Sequence, residues 1–103
     1  LATLKKSLNI SENKIVIIMI ARATIHKGTP EYFESAKILK QNSPIKDKLE
    51  FLFVGDIDEG NPFSVSKEFL EKNSDFVKFL GWRKDVKELI AISNIVVLPS
   101  HRE

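Results

Sequence analysis

The sequence contains no cysteine. Disulfides and thiolate metal sites are therefore excluded, which suits a reducing compartment. Long hydrophobic runs are absent too. The longest, Ile15 to Ala21, falls far short of the ~18 residues needed to span a bilayer, and no signal-peptide pattern is read in the chain. Neither sign of charge dominates: sixteen Lys plus Arg stand against fourteen Asp plus Glu, leaving +2. The lysines are scattered, usually near Glu or Asp, and no basic stripe interleaves with aromatics, so nucleic acid is not an expected partner. Repeats, low-complexity tracts and Gly/Ser linkers are also lacking. No G-x-G-x-x-G follows the first apolar run, which argues against a glycine-rich dinucleotide site. His26 and His101 have no Cys, second His or Ser/Asp partner at useful spacing, so a catalytic triad is set aside.

What is present is alternation. At 103 residues and 43% hydrophobic content, the chain is at most one small globular domain, able to bury roughly two-thirds of its unfolded surface. Leu1 to Leu8 reads as a short lead-in helix, and Lys14 to Ile20 as a strand. A helix follows over "TPEYFESAKILKQN", with Thr29 expected as N-cap, Pro30 at the first helical position, and Tyr32, Ala36 and Leu39 on one face. Leu49 to Val54 is a second strand, stopped by Gly55. "SVSKEFLEKN" is a helix with Ser64 as its expected cap and Val65, Phe69 and Leu70 inward. "FVKFLG" is a third strand ending at Gly81. In "DVKELIAIS", Asp85 and Glu88 stand at capping-box spacing ahead of Val86, Leu89 and Ile90. "NIVVLPS" is a fourth strand, stopped by Pro99.

The order β-α-β-α-β-α-β with continuously apolar strands predicts an α/β, Rossmann-like parallel sheet covered by helices on both faces. With about four strands it is the first part of a doubly wound domain. The chain starts on Leu1 and stops at "PSHRE" without a closing strand, so it is expected to belong to a longer protein. A parallel sheet sends every strand-to-helix loop from one carboxyl edge, where open α/β folds bind ligands. Arg22 to Gly28, Gly55 to Pro62, Gly81 to Asp85 and Ser100 to Glu103 should converge there.

Each loop offers a chemistry and a plainer alternative. Arg22 and Lys27, spaced R-x4-K, precede Gly28 and a helix start, and two cations beside a helix N-terminus make a diphosphate site. The plainer reading is a solvated turn, with Gly28 present for a positive φ. In "GDIDEGNP", Asp56, Asp58 and Glu59 invite a metal reading, but the ligand spacing of a calcium loop is missing and turn chemistry explains the composition equally well. In "GWRKD", Gly81 bends the chain and Trp82 could line a base pocket; packing for Trp82 and solvation for Arg83 are the alternative.

Read in order, "ARATIHKG", "FLFVGD", "VKFLGWRKDVKELIAISNIVVLPS" and "PSHRE" resemble the donor-binding domain of glycosyltransferase family 4, retaining enzymes of GT-B architecture. The likeness runs from Lys14 to the end, so that residues 1–103 would form the N-terminal portion of the nucleotide-sugar-binding (C-terminal) domain. Its flavour is that of enzymes building bacterial capsule, O-antigen or lipopolysaccharide. The resemblance implies that Arg22 and Lys27 hold the diphosphate of a UDP- or GDP-sugar and stabilise charge on the leaving group, with Gly28 beside them. It implies that Gly55 and Asp56 border the donor, that Gly81, Trp82 and Arg83 lie near the base, that Ser100 also borders the donor, and that Glu103 faces the donor sugar. No metal or cofactor is implied, since a guanidinium and an ammonium can take the place of Mg²⁺.

Ala21 and Ala23 stand where the family commonly has Gly and Leu, and the second glutamate of its E-x7-E motif lies beyond Glu103. A glycan or lipid-linked acceptor would be bound by another domain. These 103 residues are accordingly not expected to catalyse transfer alone, and the fourth strand's edge favours self-association. A cytoplasmic location is implied, with the longer protein at the inner face of the membrane. Two alternatives stay open: a GT-B enzyme of another reaction, such as a sugar-nucleotide epimerase, and a non-catalytic α/β interaction module.

Overall fold

The β-branched and aromatic runs form the sheet. In a computed structural model that describes residues 2–98, β1 (Ile15–Ile20) pairs in parallel with β2 (Leu49–Val54), from Ile15 opposite Leu49 to Ile20 opposite Val54. Its other side pairs with β4 (Ile95–Val97), while β2 pairs with β3 (Lys78–Gly81). The strand order is β3-β2-β1-β4, and the pairing is parallel throughout, as the alternation predicts.

Both faces of this sheet are apolar because both are covered. Val16, Ile18, Leu52 and Val54 pack with Leu89 of α4 (Val86–Ala91), with Ile92 just after it, and with Leu4 of α1 (Ala2–Ser7). Ile17, Met19, Phe51 and Phe53 pack on the opposite side against Tyr32, Phe33 and Ala36 of α2 (Thr29–Asn42) and Leu70 of α3 (Lys67–Lys72). A strand residue of either parity therefore meets a helix, which removes the polar alternation of a half-exposed strand. Fully burying side chains such as Phe33 and Phe53 contributes about 1.5–3 kcal/mol each.

Two polar contacts fix the helices to the sheet. The buried Tyr32 hydroxyl donates to the Leu52 carbonyl at 2.7 Å, with the Ile17 carbonyl 3.1 Å away. Burial holds this phenol well above the usual tyrosine pKa. On the other face, Lys78 Nζ lies 2.7 Å from the Leu8 carbonyl and 3.2 Å from Glu50 Oε1. A buried carboxylate on β2 is thereby compensated, and the chain leaving α1 is tied to β3.

The helix starts differ from the sequence reading. Thr29 is not a cap: Gly28, at φ 81°, precedes the helix, and Thr29 is its buried first residue, with an unpartnered hydroxyl. Ser66 rather than Ser64 caps α3, accepting from the Phe69 N–H at 3.1 Å. Ser64 is drawn instead into the preceding loop, where its Oγ accepts from the Asp58 N–H. Asp85 precedes α4 without a side-chain cap bond, because its carboxylate is turned to Arg83. Leu39 and Ile90 are half-exposed rather than inward, as each helix buries a narrower stripe than its spacing suggests. β3 starts at Lys78 rather than Phe76 because the N–H groups of Phe76 and Val77 bond back to Asn73 in the turn after α3.

Candidate active site

The first two loops are sewn together at the carboxyl edge. Ala21 N–H donates to the Val54 carbonyl at 3.0 Å, and Ala23 N–H to the Asp56 carbonyl at 2.9 Å. Farther out, Ile25 N–H donates to the Phe63 carbonyl and Val65 N–H to the Ala23 carbonyl, both at 2.8 Å. The backbone beyond each strand is thus paired even though the ladder has ended, which sets Arg22 in a constrained bend rather than a free turn.

Gly55 makes this junction possible. Its φ is 148°, and a Cβ there would lie 1.7 Å from the Ala21 carbonyl oxygen. Its N–H reaches the third loop, donating to the Gly81 carbonyl at 2.9 Å. The resemblance puts Gly55 next to the donor; the structure gives it the further task of letting three strand ends meet.

Where these ends meet is a cavity of about 510 Å³, lined by Ala21 and Arg22, by Gly55, Asp56, Ile57 and Asp58, and by Trp82, Arg83 and Val86. Five of the expected site residues therefore share it: Arg22, Gly55, Asp56, Trp82 and Arg83. Lys27 does not line it. It ends a single 3-10 turn, Ile25–Lys27, with its side chain exposed. Gly28 closes that turn in the left-handed region and is buried against the start of α2. Gly81 contributes its carbonyl to the strand junction rather than to the cavity wall. Ser100, His101 and Glu103 lie outside the described residues. His26 packs its ring on Phe63 at 4.5 Å, as an ordinary loop histidine does.

Both arginines of the cavity have a carboxylate partner. Arg22 Nη1 is 3.8 Å from Asp58 Oδ2, a loose and largely solvated pair. Asp58 is itself held in its loop by Asn61 Nδ2 at 3.0 Å. Arg83 and Asp85 pair far more closely, with Nε to Oδ1 at 2.9 Å and Nη2 to Oδ2 at 2.7 Å. Hydrogen bonding to Arg83 holds the Asp85 carboxyl below the usual carboxylate range, and the same bonds raise the guanidinium's pKa. Trp82 next to this pair is 67% exposed, an unusual position for so large an aromatic. The sequence reading paired neither Asp58 nor Asp85 with an arginine: it weighed Asp58 as a metal or turn residue and Asp85 as a helix cap. Opposite charges two residues apart in Arg83-Lys84-Asp85 were the available signal for the second. Among the described residues, no group of three or more His, Asp or Glu gathers as a metal site would require, and no helix is long and apolar enough to cross a membrane.

Comparison with known proteins fits this geometry. Residues 2–103 match the family described as Glycosyl transferases group 1. The chain is 48% identical over 98 residues to an N,N'-diacetylbacillosaminyl-diphospho-undecaprenol alpha-1,3-N-acetylgalactosaminyltransferase of Campylobacter jejuni, covering 95% of this chain and 23% of that protein. It is 29% identical over 96 residues to the Escherichia coli UDP-Gal:alpha-D-GlcNAc-diphosphoundecaprenol alpha-1,3-galactosyltransferase, covering 93% and 24%. The chain thus spans about a quarter of the length of these curated relatives. Among solved structures, WaaG, a glycosyltransferase involved in lipopolysaccharide biosynthesis, shares the fold with a TM-score of 0.74 at 19% identity, over 99% of this chain and 26% of its own. Anabaena Alr3699/HepE, solved in complex with UDP, gives a TM-score of 0.73 at 27% identity, over 96% and 26%. The resemblance read from the loops and the family match agree: the chain belongs to the group 1 glycosyl transferases.

Proposed function

We propose that residues 1–103 are the N-terminal portion of the donor-binding domain of a glycosyltransferase, one that moves a sugar from a UDP- or GDP-sugar to a lipid-linked or polysaccharide acceptor. The observation that carries this reading is the cavity at the carboxyl edge, where Arg22 and Arg83 stand beside an exposed Trp82 in a chain of this family. Relatives whose names specify undecaprenol-linked acceptors, and one solved with UDP, support the substrate classes.

Breaking a glycosidic bond to a nucleoside diphosphate leaves negative charge on the departing phosphate, and a preorganised cation there lowers the barrier. Arg22 has this role in the cavity. Lys27, exposed at the turn that leads into α2, supplies the second cation together with Gly28 and the N-terminus of that helix. Trp82 and Arg83 take the nucleoside half. Gly55 and Asp56 shape the donor side of the cleft, Gly81 belongs to the turn near the base, and by the family resemblance Ser100 would border the donor and Glu103 would serve its sugar. The nucleotide sugar is a substrate, and no resident cofactor or metal takes part. Acceptor binding belongs to polypeptide outside these residues, and the longer protein works in the cytoplasm at the inner membrane face.

The test is donor turnover in the full-length polypeptide that carries this segment. Lys27→Ala and Arg22→Ala should each collapse transfer while leaving the fold intact, and transfer should survive EDTA. Near-normal turnover of both variants would overturn the diphosphate role, and a strict divalent-metal requirement would overturn the metal-free account. Conversion of the nucleotide sugar without acceptor glycosylation would favour an epimerase, and no consumption of any donor would favour an interaction module. The isolated chain is also proposed to self-associate through β4, whose Ile95 and Val96 are half-exposed. A single monomeric species in sedimentation would refute that.

A further inference from the structure

Asp85 occupies the residue before α4, where an aspartate ordinarily accepts a hydrogen bond from the helix's own N–H groups. Its side chain makes no such bond. Both carboxylate oxygens are committed instead to Arg83, at 2.9 Å to Nε and 2.7 Å to Nη2, a fork-to-fork pairing that fixes the guanidinium plane as well as its position. A local structural preference given up for a bidentate pairing, one step from a cavity, is what a residue serving a site would show. Arg83 is a wall of that cavity, and Trp82 and Val86 flank the pair on either side along the chain.

The two arginines of the cavity are held in contrasting ways. Arg22 is largely solvated and only 3.8 Å from one oxygen of Asp58, so its charge remains available to an anion. Arg83 is locked, and its charge is matched by the Asp85 carboxylate, which the hydrogen bonds from Arg83 hold below the usual carboxylate range. What it can still present to a ligand is a flat face and the N–H groups that Asp85 does not occupy. Such a surface suits a neutral, planar, hydrogen-bonding group better than a phosphate.

We propose that Asp85 is a positioning residue, which locks Arg83 beside Trp82 so that Arg83 reads the nucleoside half of the donor and adds little to diphosphate binding. This rests on the donor-site reading above and divides its labour: Arg22 serves the phosphates, and the Asp85-held Arg83 serves the nucleoside. Asp85 need not touch the ligand.

The test is a calorimetric titration of the full-length polypeptide that carries this segment with UDP, uridine and inorganic pyrophosphate. Asp85→Asn removes the charge and one acceptor at nearly constant shape, and Asp85→Ala removes the group. Both should weaken UDP and uridine by about fivefold, the scale of one ordinary hydrogen bond, with pyrophosphate unchanged. Arg83→Ala should weaken them equally, and Asp85→Asn combined with it should cost nothing more, because Asp85 acts only through Arg83. A merely structural Asp85 would instead lower the melting temperature without distinguishing uridine from pyrophosphate. Unchanged uridine binding in Asp85→Asn, or tighter pyrophosphate binding, would overturn the positioning role while leaving the donor site standing. If the unaltered full-length polypeptide binds neither UDP nor uridine, the donor-site reading fails, and this inference with it.

Discussion

Replacing Gly55 with alanine should damage this protein more than the same change at Gly60 or Gly81. The new Cβ would lie 1.7 Å from the Ala21 carbonyl oxygen, where ordinary contact begins at about 3.4 Å, and 2.7 Å from the Ala21 carbonyl carbon. The obstacle is backbone at the end of β1, not the tip of a flexible side chain, so the strand end itself must move. Three costs combine. A side chain held at φ 148° carries strain of about 1–3 kcal/mol. Moving the strand end also stretches the bonds from Ala21 N–H to Val54 and from Gly55 N–H to Gly81, each contributing about 1 kcal/mol. The sum, about 4 kcal/mol, is large beside the roughly 5–15 kcal/mol that stabilises a typical domain. For a domain of this size it corresponds to a fall of roughly 15–30 °C in melting temperature, readable by circular dichroism or calorimetry on the 103-residue chain. Because Ala21, Arg22 and Gly55 also line the cavity, UDP binding should weaken even well below the melting point. A fall of less than about 5 °C would show that the strand ends yield easily and that Gly55 is not required for them to meet.

Other perturbations separate the site from the scaffold. Asp58→Asn should tighten UDP binding by roughly 0.2–1 kcal/mol, the worth of a solvated ion pair, because Arg22 no longer has a competing carboxylate; weaker binding would show that Asp58 orients Arg22. Tyr32→Phe should cost about 1 kcal/mol by removing the bond to Leu52. Its pH dependence has a definite sign. The folded-state pKa of Tyr32 is raised, so its contribution is complete below the ordinary value of about 10 and is lost as pH rises above it. Stability of the unaltered chain should therefore fall more steeply on the alkaline side than that of Tyr32→Phe, and parallel curves from denaturant titrations would refute this. Lys78→Met should cost about 3 kcal/mol, because it strands the buried Glu50 and frees the Leu8 carbonyl. Adding Glu50→Leu should restore part of that stability, and strictly additive effects would contradict the pairing.

The alternation of apolar runs and helical segments in the sequence already specified the parallel sheet, since only strands covered on both faces read as continuously apolar from Ile15 to Ile20 and from Leu49 to Val54. That alternation also indicated which loops would meet, because parallel strands send all their exits to one edge. The motif order, from Arg22 through Gly55 and Gly81, was enough to name the family. Helix starts were less legible. Thr29, Ser64 and Asp85 all have cap chemistry, but Gly28, Ser66 and the Arg83 pairing displaced them, and each displacement depends on interactions made across loops or with the core.

The sequence by itself determined the layer order, the polarity of the sheet and the family, because periodicity and motif order are properties of the chain taken in line. Only the tertiary structure decided how the charges at the edge are used. It separated Lys27 from the cavity wall, paired Arg22 loosely with Asp58, and turned Asp85 from helix cap to partner of Arg83. Those outcomes depend on distances between side chains on different loops, set by where three strand ends meet around a glycine against which no Cβ would fit.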